Sequence, residues 1–281
     1  MPQGWKWDET LFQGTAAYYV RGRLPYAPAL AEAIATTLGL DGRGRLIDVG
    51  CGPGIIALRL AHLLEEVVGL DPDAAMLAEA ERLAAEAGIN NARWVRAMAE
   101  ELPAGLGRFR VATFGQSFHW MEREQVAAAV LTMLEPGGAF VQVNDPRLNL
   151  DAGRERALPY PPPPEEAIQA LVQTYLGPLR RAGQGVLRHG MPSGEADVLA
   201  AAGFEPPEYV QVHGPPYFVR SIDELVASCF SNSDSAPHLF GERLTAFEAE
   251  LRILLTQASP SGRFAQSARD TEVRFWRKPA G

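Results

Sequence analysis

Leu46-Ile47-Asp48-Val49-Gly50-Cys51-Gly52-Pro53-Gly54 is the stretch on which the reading of this chain turns. It is a short apolar strand running into a glycine turn, and the run that follows, Ile55 to Leu64, has the pattern of a helix. Glycine lets the backbone turn tightly and approach a ligand, because no Cβ stands in the way. The first amides of the helix then face whatever lies outside the carboxyl end of the strand, where open α/β sheets bind ligands. The spacing differs from the dinucleotide fingerprint G-x-G-x-x-G, which needs a glycine where Ile55 stands. A second apolar strand, Val67 to Leu70, ends at Asp71-Pro72-Asp73. A carboxylate at that tip can accept hydrogen bonds from both ribose hydroxyls of an adenosine lying over the first turn. Taken alone, the glycine turn also fits a tight, ligand-free strand-to-helix connection. The acid at the next strand tip favours adenosine.

Length and composition frame this. The 281 residues suffice for one medium domain with a sizeable core, or one domain with an insertion. Hydrophobic residues at 47% and charged residues at 21% are those of a soluble globular protein. No apolar run has the length of a membrane span, and Met1 to Trp7 lacks the apolar core of a signal peptide, so a cytoplasmic location is expected. A formal net charge of -8 opposes a nucleic-acid partner. Cys51 and Cys229 are far apart and belong to no Cys-x-x-Cys pair, which supports neither a disulfide framework nor a zinc site.

The N-terminal segment is dense in aromatics (Trp5, Trp7, Phe12, Tyr18, Tyr19, Tyr26), with short helices expected over Thr15–Val20 and Pro28–Leu38. Asp73 is placed to cap a helix running to Glu86, which Gly88 ends. Strands follow at Arg93–Ala97 and Arg110–Phe114, then a helix from Glu122 to Leu134, a Glu135-Pro136-Gly137-Gly138 turn, and a fifth strand, Ala139–Asn144. From Asp145 to Met191 the pattern loosens. Tyr160 to Pro164 is extended linker by composition, and Glu165–Ala182 has the spacing of an amphipathic helix. Ser193 is placed to cap a helix to Ala202. A sixth strand is expected at Glu208–His213, continuing through Tyr217–Val219 beyond Pro215-Pro216. Ser221 caps a further helix, a longer one covers Leu239–Gln257, and Glu272–Trp276 is the last strand.

Asp48 to Gly54 and Asp71 together resemble the first two motifs of the class I S-adenosylmethionine-dependent methyltransferases. The segment Phe12–Tyr26 and the signature Gln116-x-x-His119-Trp120 are similar to the small-molecule, ubiquinone-biosynthesis-like subgroup. The resemblance runs from Phe12 to Trp276 and is loose across Asp145–Gly190. It implies a Rossmann-like α/β fold with a seven-stranded, mostly parallel sheet, helices on both faces and an antiparallel last strand. Four parts are expected: an N-terminal helical cap (1–40), a cofactor-binding core (41–144), an insertion covering the substrate (145–203), and strands and helices completing the sheet (204–281). The cofactor implied is S-adenosyl-L-methionine, with S-adenosyl-L-homocysteine as product. Residues implied to hold it are Tyr18, Arg23, Asp48, Gly50, Cys51, Gly52 and Gly54, then Asp71, Pro72, Met76, Ala99, Glu100 and Gln116. Relatives carry an acid where Met98 stands, so adenine recognition here shifts to the backbone at Ala99 and to apolar packing.

The reaction implied is in-line displacement at a methyl carbon by an O, N or C atom of a small-molecule acceptor. Positioning contributes most of such a rate, and a histidine is the usual group to take a proton from the acceptor. Of five histidines, His119 alone falls at a ligand-edge strand outlet. It is expected to act as base or to orient the acceptor; its structural alternative is to brace the loop at Gln116. Tyr19, Tyr26, His119 and Trp120 are the expected acceptor contacts. No acidic or histidine cluster follows the fourth strand, so no metal is expected. A nucleic-acid or protein methyltransferase, or a non-catalytic adenosylmethionine-binding protein, are the alternatives. Oligomeric state is not legible.

Overall fold

The computed structural model describes residues 8–144, 158–182, 185–186, 194–268 and 270–280. Two short helices, α1 (Ala16–Gly22) and α2 (Leu30–Leu38), precede the first strand, β1 (Arg45–Val49). Strands and helices then alternate: α3 (Ile55–Leu60), β2 (Glu66–Asp71), α4 (Ala74–Glu86), β3 (Ala92–Arg96), β4 (Phe109–Gly115), α5 (Arg123–Met133) and β5 (Leu134–Asn144). After α6 (Glu165–Leu176) come the short strands β6 (Arg181–Ala182) and β7 (Gly185–Val186), then α7 (Glu195–Ala202) and β8 (Glu208–Val212). The chain closes with β9 (Tyr217–Ser221), α8 (Ile222–Phe230), α9 (Leu244–Ala258), β10 (Arg263–Ser267) and β11 (Thr271–Arg277).

The main sheet has seven strands in the order β3-β2-β1-β4-β5-β11-β8. The first five run parallel, and β11 is antiparallel to both β5 and β8. Its central strands are continuous apolar runs because helices cover both faces. On one face Ile47, Val68, Phe114 and Phe140 pack with Val126 and Val130 of α5 and Leu199 of α7. On the other, Leu46, Val67, Val111 and Val141 meet Leu30 and Ile34 of α2 and Ile56 and Leu60 of α3. The order reverses between β1 and β4, which opens a crevice over their carboxyl ends.

A third apolar cluster lies outside this sheet. Val172 and Leu176 of α6, Phe230 of α8, Phe247 and Leu251 of α9 and Phe264 of β10 form its centre, with Tyr18 of α1 packed against it. This cap unit is laced to α1, which packs along α8 so closely that a Cβ on Gly22 would overlap the Ala227 carbonyl.

Several elements differ from expectation, each for a local reason. The Ile55–Leu64 helix is α only to Leu60 and tightens to a 3-10 turn over Ala61–Leu63. The Glu165–Ala182 helix ends at Leu176, where Gly177 takes φ +86 and Pro178 follows. β5 starts at Leu134, earlier than expected, because the Glu135–Gly138 turn is a register shift opposite Phe109 and Val111. The sixth strand does not continue past the prolines: β9 leaves the main sheet and pairs antiparallel with β10, an element the sequence pattern had not singled out. Pro215 and Pro216 remove two donors, which stops the ladder there. The Leu239–Gln257 helix is a 3-10 segment from Pro237 to Arg243, broken at Gly241, followed by α9. Trp5, Trp7, Asp145, Pro146, His189 and Ser193 lie outside the described residues; α7 is preceded by Gly194.

Candidate functional site

A cavity of 1910 Å³ opens over the carboxyl ends of β1, β2, β3 and β4, between the sheet and the cap. One half of its wall is the glycine turn. Gly50 and Gly54 take φ +67 and +76; a Cβ on Gly50 would stand 2.6 Å from Ser117 Cβ, and one on Gly54 2.6 Å from the Trp94 ring. Both positions therefore exclude any side chain for backbone and packing reasons. Gly52 differs: among the described residues a Cβ there would meet nothing within 4 Å, and the residue faces the cavity.

Asp71 ends β2 beside this turn and is 9% exposed. Its Oδ2 accepts from the Gly52 amide at 2.8 Å and its Oδ1 from the Asp73 amide at 2.9 Å. Each oxygen keeps a lone pair for a further donor. Burial pushes its carboxyl up to about 6, against the pull of those two amides. Asp48 sits deeper, at 1% exposure, and is a brace: Oδ1 accepts from Thr113 Oγ1 at 2.8 Å and Oδ2 from the Ala57 amide at 3.2 Å. That ties β1 to β4 and to the start of α3. Burial, with a smaller push from the charge of Asp71, raises its carboxyl to about 7 against the pull of those two donors. The Cys51 thiol is buried between these acids and stays protonated, its pKa raised by burial and by both carboxylates.

The opposite wall comes from the outlet of β4. Ser117 Oγ donates to the Val49 carbonyl at 2.6 Å, fastening the 3-10 turn Phe118–Trp120 to β1. Nothing in the sequence pattern marked Ser117 for this. Gln116 takes φ +56, a left-handed conformation uncommon for a side chain with a Cβ, and such strain concentrates at functional sites. His119 lies in the cavity wall with its ring 5.3 Å from that of Trp120, which meets Phe12 edge-on at 6.3 Å. Among the described residues no hydrogen bond reaches the His119 ring. Burial, with the positive charges of Arg180 and Arg123, lowers its pKa to about 4, so it is neutral across the physiological range.

Most of the residues read from the sequence meet at this cavity. Pro72, Met76, Ala99 and Glu100 line the side beyond the tips of β2 and β3, and Tyr19, Arg23, Tyr26 and Trp120 the cap side. Glu100 is partly committed, its Oε1 accepting from the Glu122 amide at 2.8 Å. Two lie elsewhere. Gly54 is packed under Trp94, and the Tyr18 ring packs tilted against that of Phe230, centroids 5.1 Å apart, at the cap core. The remaining described histidines have other work: His213 pairs with Asp270 at 3.0 Å, His238 with the Gln13 carbonyl at 2.9 Å, and His62 is exposed. Among the described residues no group of three or more His, Cys, Asp or Glu could hold a metal ion, and no helix is long and apolar enough to cross a membrane.

Residues 46–138 match the family model described as "Methyltransferase domain". The chain is 29% identical to the uncharacterized methyltransferase YcgJ of Bacillus subtilis over 36% of this chain and 40% of that one. It is 36% identical to the uncharacterized methyltransferase Mb0092 of Mycobacterium bovis over 35% of this chain and 49% of that one. The chain thus spans less than half the length of these curated relatives. Among solved structures it superposes on the Bacillus YcgJ protein with a TM-score of 0.52 at 18% identity, covering 89% of this chain and 98% of the other. It superposes equally, at 0.52 and 22% identity, on the [4+2]-cyclase SpnF, covering 92% and 84%. The fold is the Rossmann-like one of class I S-adenosylmethionine-dependent methyltransferases. A neighbour named as a cyclase shows that this fold alone does not fix the reaction.

Proposed function

We propose that this chain, built around a methyltransferase domain, binds S-adenosyl-L-methionine and transfers its methyl group to a small-molecule acceptor. The observation that carries the reading is the buried Asp71 carboxylate, held by the Gly52 and Asp73 amides and facing an open glycine turn across one cavity. The residues present fit the cofactor. Asp71 has spare acceptor capacity for two ribose hydroxyls, Gly52 leaves room for the nucleoside, and Ala99 and Met76 give apolar walls for adenine. Arg23, whose guanidinium lies 5.0 Å over the Tyr19 ring, is placed for the methionyl carboxylate. When bound, the cofactor supplies an activated methyl group on a sulfonium.

The chain's own part is to bind, orient and exclude water. The cavity is about twice the upper end of the range for a single small ligand, roughly 1,000 Å³, which leaves a chamber under the cap for an acceptor. His119, neutral at the β4 outlet, is able to accept a proton from an acceptor hydroxyl or amine through a ring nitrogen. Trp120 and Phe12 close one side against water. In this reading residues 1–40 and 145–203 contribute covers to a core of 41–144, residues 204–281 complete the sheet and carry the rest of the cap, and the protein works in the cytoplasm. The net charge of -8 disfavours a nucleic-acid acceptor.

Titration calorimetry with adenosylhomocysteine, followed by a screen for its release across an acceptor panel, tests the proposal. Tight binding with release is the expected outcome. Binding without release from any acceptor would turn the reading to a cofactor sensor, and no binding would end it.

A further inference from the structure

Six arginines line the cavity, and three of them, Arg23, Arg59 and Arg220, are fastened where α1 runs into the linker to α2. Arg220, on β9, donates from Nη2 to the Gly22 carbonyl at 2.9 Å. Arg59, on α3, donates from Nη1 to the carbonyls of Tyr26 at 3.3 Å and Ala27 at 3.0 Å. Arg23 belongs to the linker itself and donates from Nη2 to the Ser231 carbonyl at 2.8 Å. Arg220 is 4% exposed, and its other bonds end on the Glu224 carbonyl, the Arg21 carbonyl and the Gln266 side-chain oxygen. Its nearest carboxylate oxygen, Glu224 Oε1, is 4.0 Å away, while Glu224 Oε2 accepts from the Ser221 amide and hydroxyl. Among the described residues, neither Arg23 nor Arg59 has a carboxylate within 4.0 Å. The close hydrogen bonds of all three cations therefore end on uncharged oxygens.

A cation withdrawn from water and bonded only to neutral acceptors is incompletely compensated, and burial lowers the pKa of both Arg59 and Arg220. The cofactor does not restore the balance. Its carboxylate can engage Arg23, but its ammonium and sulfonium make it positive overall, so it brings Arg59 and Arg220 no counter-charge. The other acids lining the cavity are engaged or exposed: Asp48, Asp71, Asp73, Glu100 and Glu101 accept hydrogen bonds within the core half, Asp234 pairs with Arg180 at 3.4 Å, and Glu9 and Glu165 are exposed. A second, independent feature points the same way. Ser233 is 5% exposed, lines the same cavity, and its hydroxyl has no hydrogen-bond partner among the described residues.

We propose that the methyl acceptor is a small organic anion, bearing a carboxylate or a phosphate, which docks on Arg59 and Arg220 with the Ser233 hydroxyl as a further donor. This rests on the methyltransferase reading, so the test separates the two. The full-length protein is first saturated with adenosylhomocysteine and then titrated calorimetrically with succinate, inorganic phosphate and neutral succinamide. Binding of succinate or phosphate but not succinamide is expected, and which anion binds identifies the group. Arg59→Gln and Arg220→Gln are each expected to weaken that binding about tenfold or more, and Ser233→Ala about threefold, with adenosylhomocysteine affinity little changed. If Arg220→Gln does not fold, Arg59→Gln and Ser233→Ala carry the comparison. Equal binding of succinamide, no anion binding to the loaded protein, or anion binding indifferent to these substitutions overturns the proposal and leaves methyl transfer standing. Failure of adenosylhomocysteine to bind overturns both.

Discussion

Replacing Asp71 with asparagine separates a ligand-binding carboxylate from a merely structural one. The wild-type group receives the Gly52 amide on one oxygen and the Asp73 amide on the other. Asparagine keeps the shape but offers one oxygen, so one of these amides is left facing an NH₂ group, at a cost of about 1–3 kcal/mol. Against this, burial has raised the carboxyl from 3.8 to about 6, so keeping it ionised at neutral pH costs about 3 kcal/mol that the amide does not incur. The two effects nearly cancel, and the melting temperature at pH 7 should move little. Adenosylhomocysteine binding should not be spared. Losing the charge and one of two ribose acceptors removes about 2–3 kcal/mol, or roughly 30- to 160-fold in Kd.

The pH dependence adds a second readout with a fixed sign. Because the folded pKa lies above the unfolded one, the contribution of this carboxyl to stability is fully present below 3.8 and is lost as pH rises through about 6. Ligand affinity runs the other way: hydroxyl donors need the ionised form, so Kd should rise about tenfold per unit as pH falls below the folded pKa of about 6. Calorimetry from pH 5 to 8, with thermal melts in the same buffers, measures both. A D71N protein that binds adenosylhomocysteine within threefold of wild type would refute the assignment of this carboxylate to the ligand.

Gly52→Ala should remain folded, with about 1–2 kcal/mol of strain at φ +52, yet lose adenosylhomocysteine binding because the methyl group enters the cavity; retained binding in a thermal-shift titration would contradict this. His119→Ala should lower turnover with cofactor affinity unchanged. Since the ring is held near a pKa of about 4, the wild-type rate profile should show no His119 limb between pH 6 and 7, and an NMR titration placing the imidazole at its ordinary value would count against the site as described. Thr113→Val leaves Asp48 Oδ1 without its hydroxyl donor, and chemical denaturation should report a loss of about 1–3 kcal/mol. Gly22→Ala should loosen α1 from α8 by collision with the Ala227 carbonyl, destabilising the protein by about 1–3 kcal/mol; an unchanged denaturation midpoint would mean the two helices are not packed as described.

The local elements of the core were legible because each carries its own signal. Continuous apolar runs gave buried parallel strands, and Asp73 at the head of α4 and Ser221 at the head of α8 cap as their side-chain chemistry dictates. The glycine turn and the acid at the tip of β2 are likewise written in the chain, since only a residue without Cβ fits at Gly50, beneath Ser117. Their meeting needed only the crossover between adjacent parallel strands, so adenosine binding could be argued from spacing alone.

The cap was a matter of tertiary structure. Tyr18 joined an aromatic core whose Phe230, Phe247 and Phe264 are more than two hundred positions away, and β9 left the main sheet for a partner with no turn signal linking them. Arg59 and Arg220 found their places by donating to backbone carbonyls. Every residue offers a carbonyl, so such bonds leave no mark on the sequence, and only the folded chain shows which ones a guanidinium can reach.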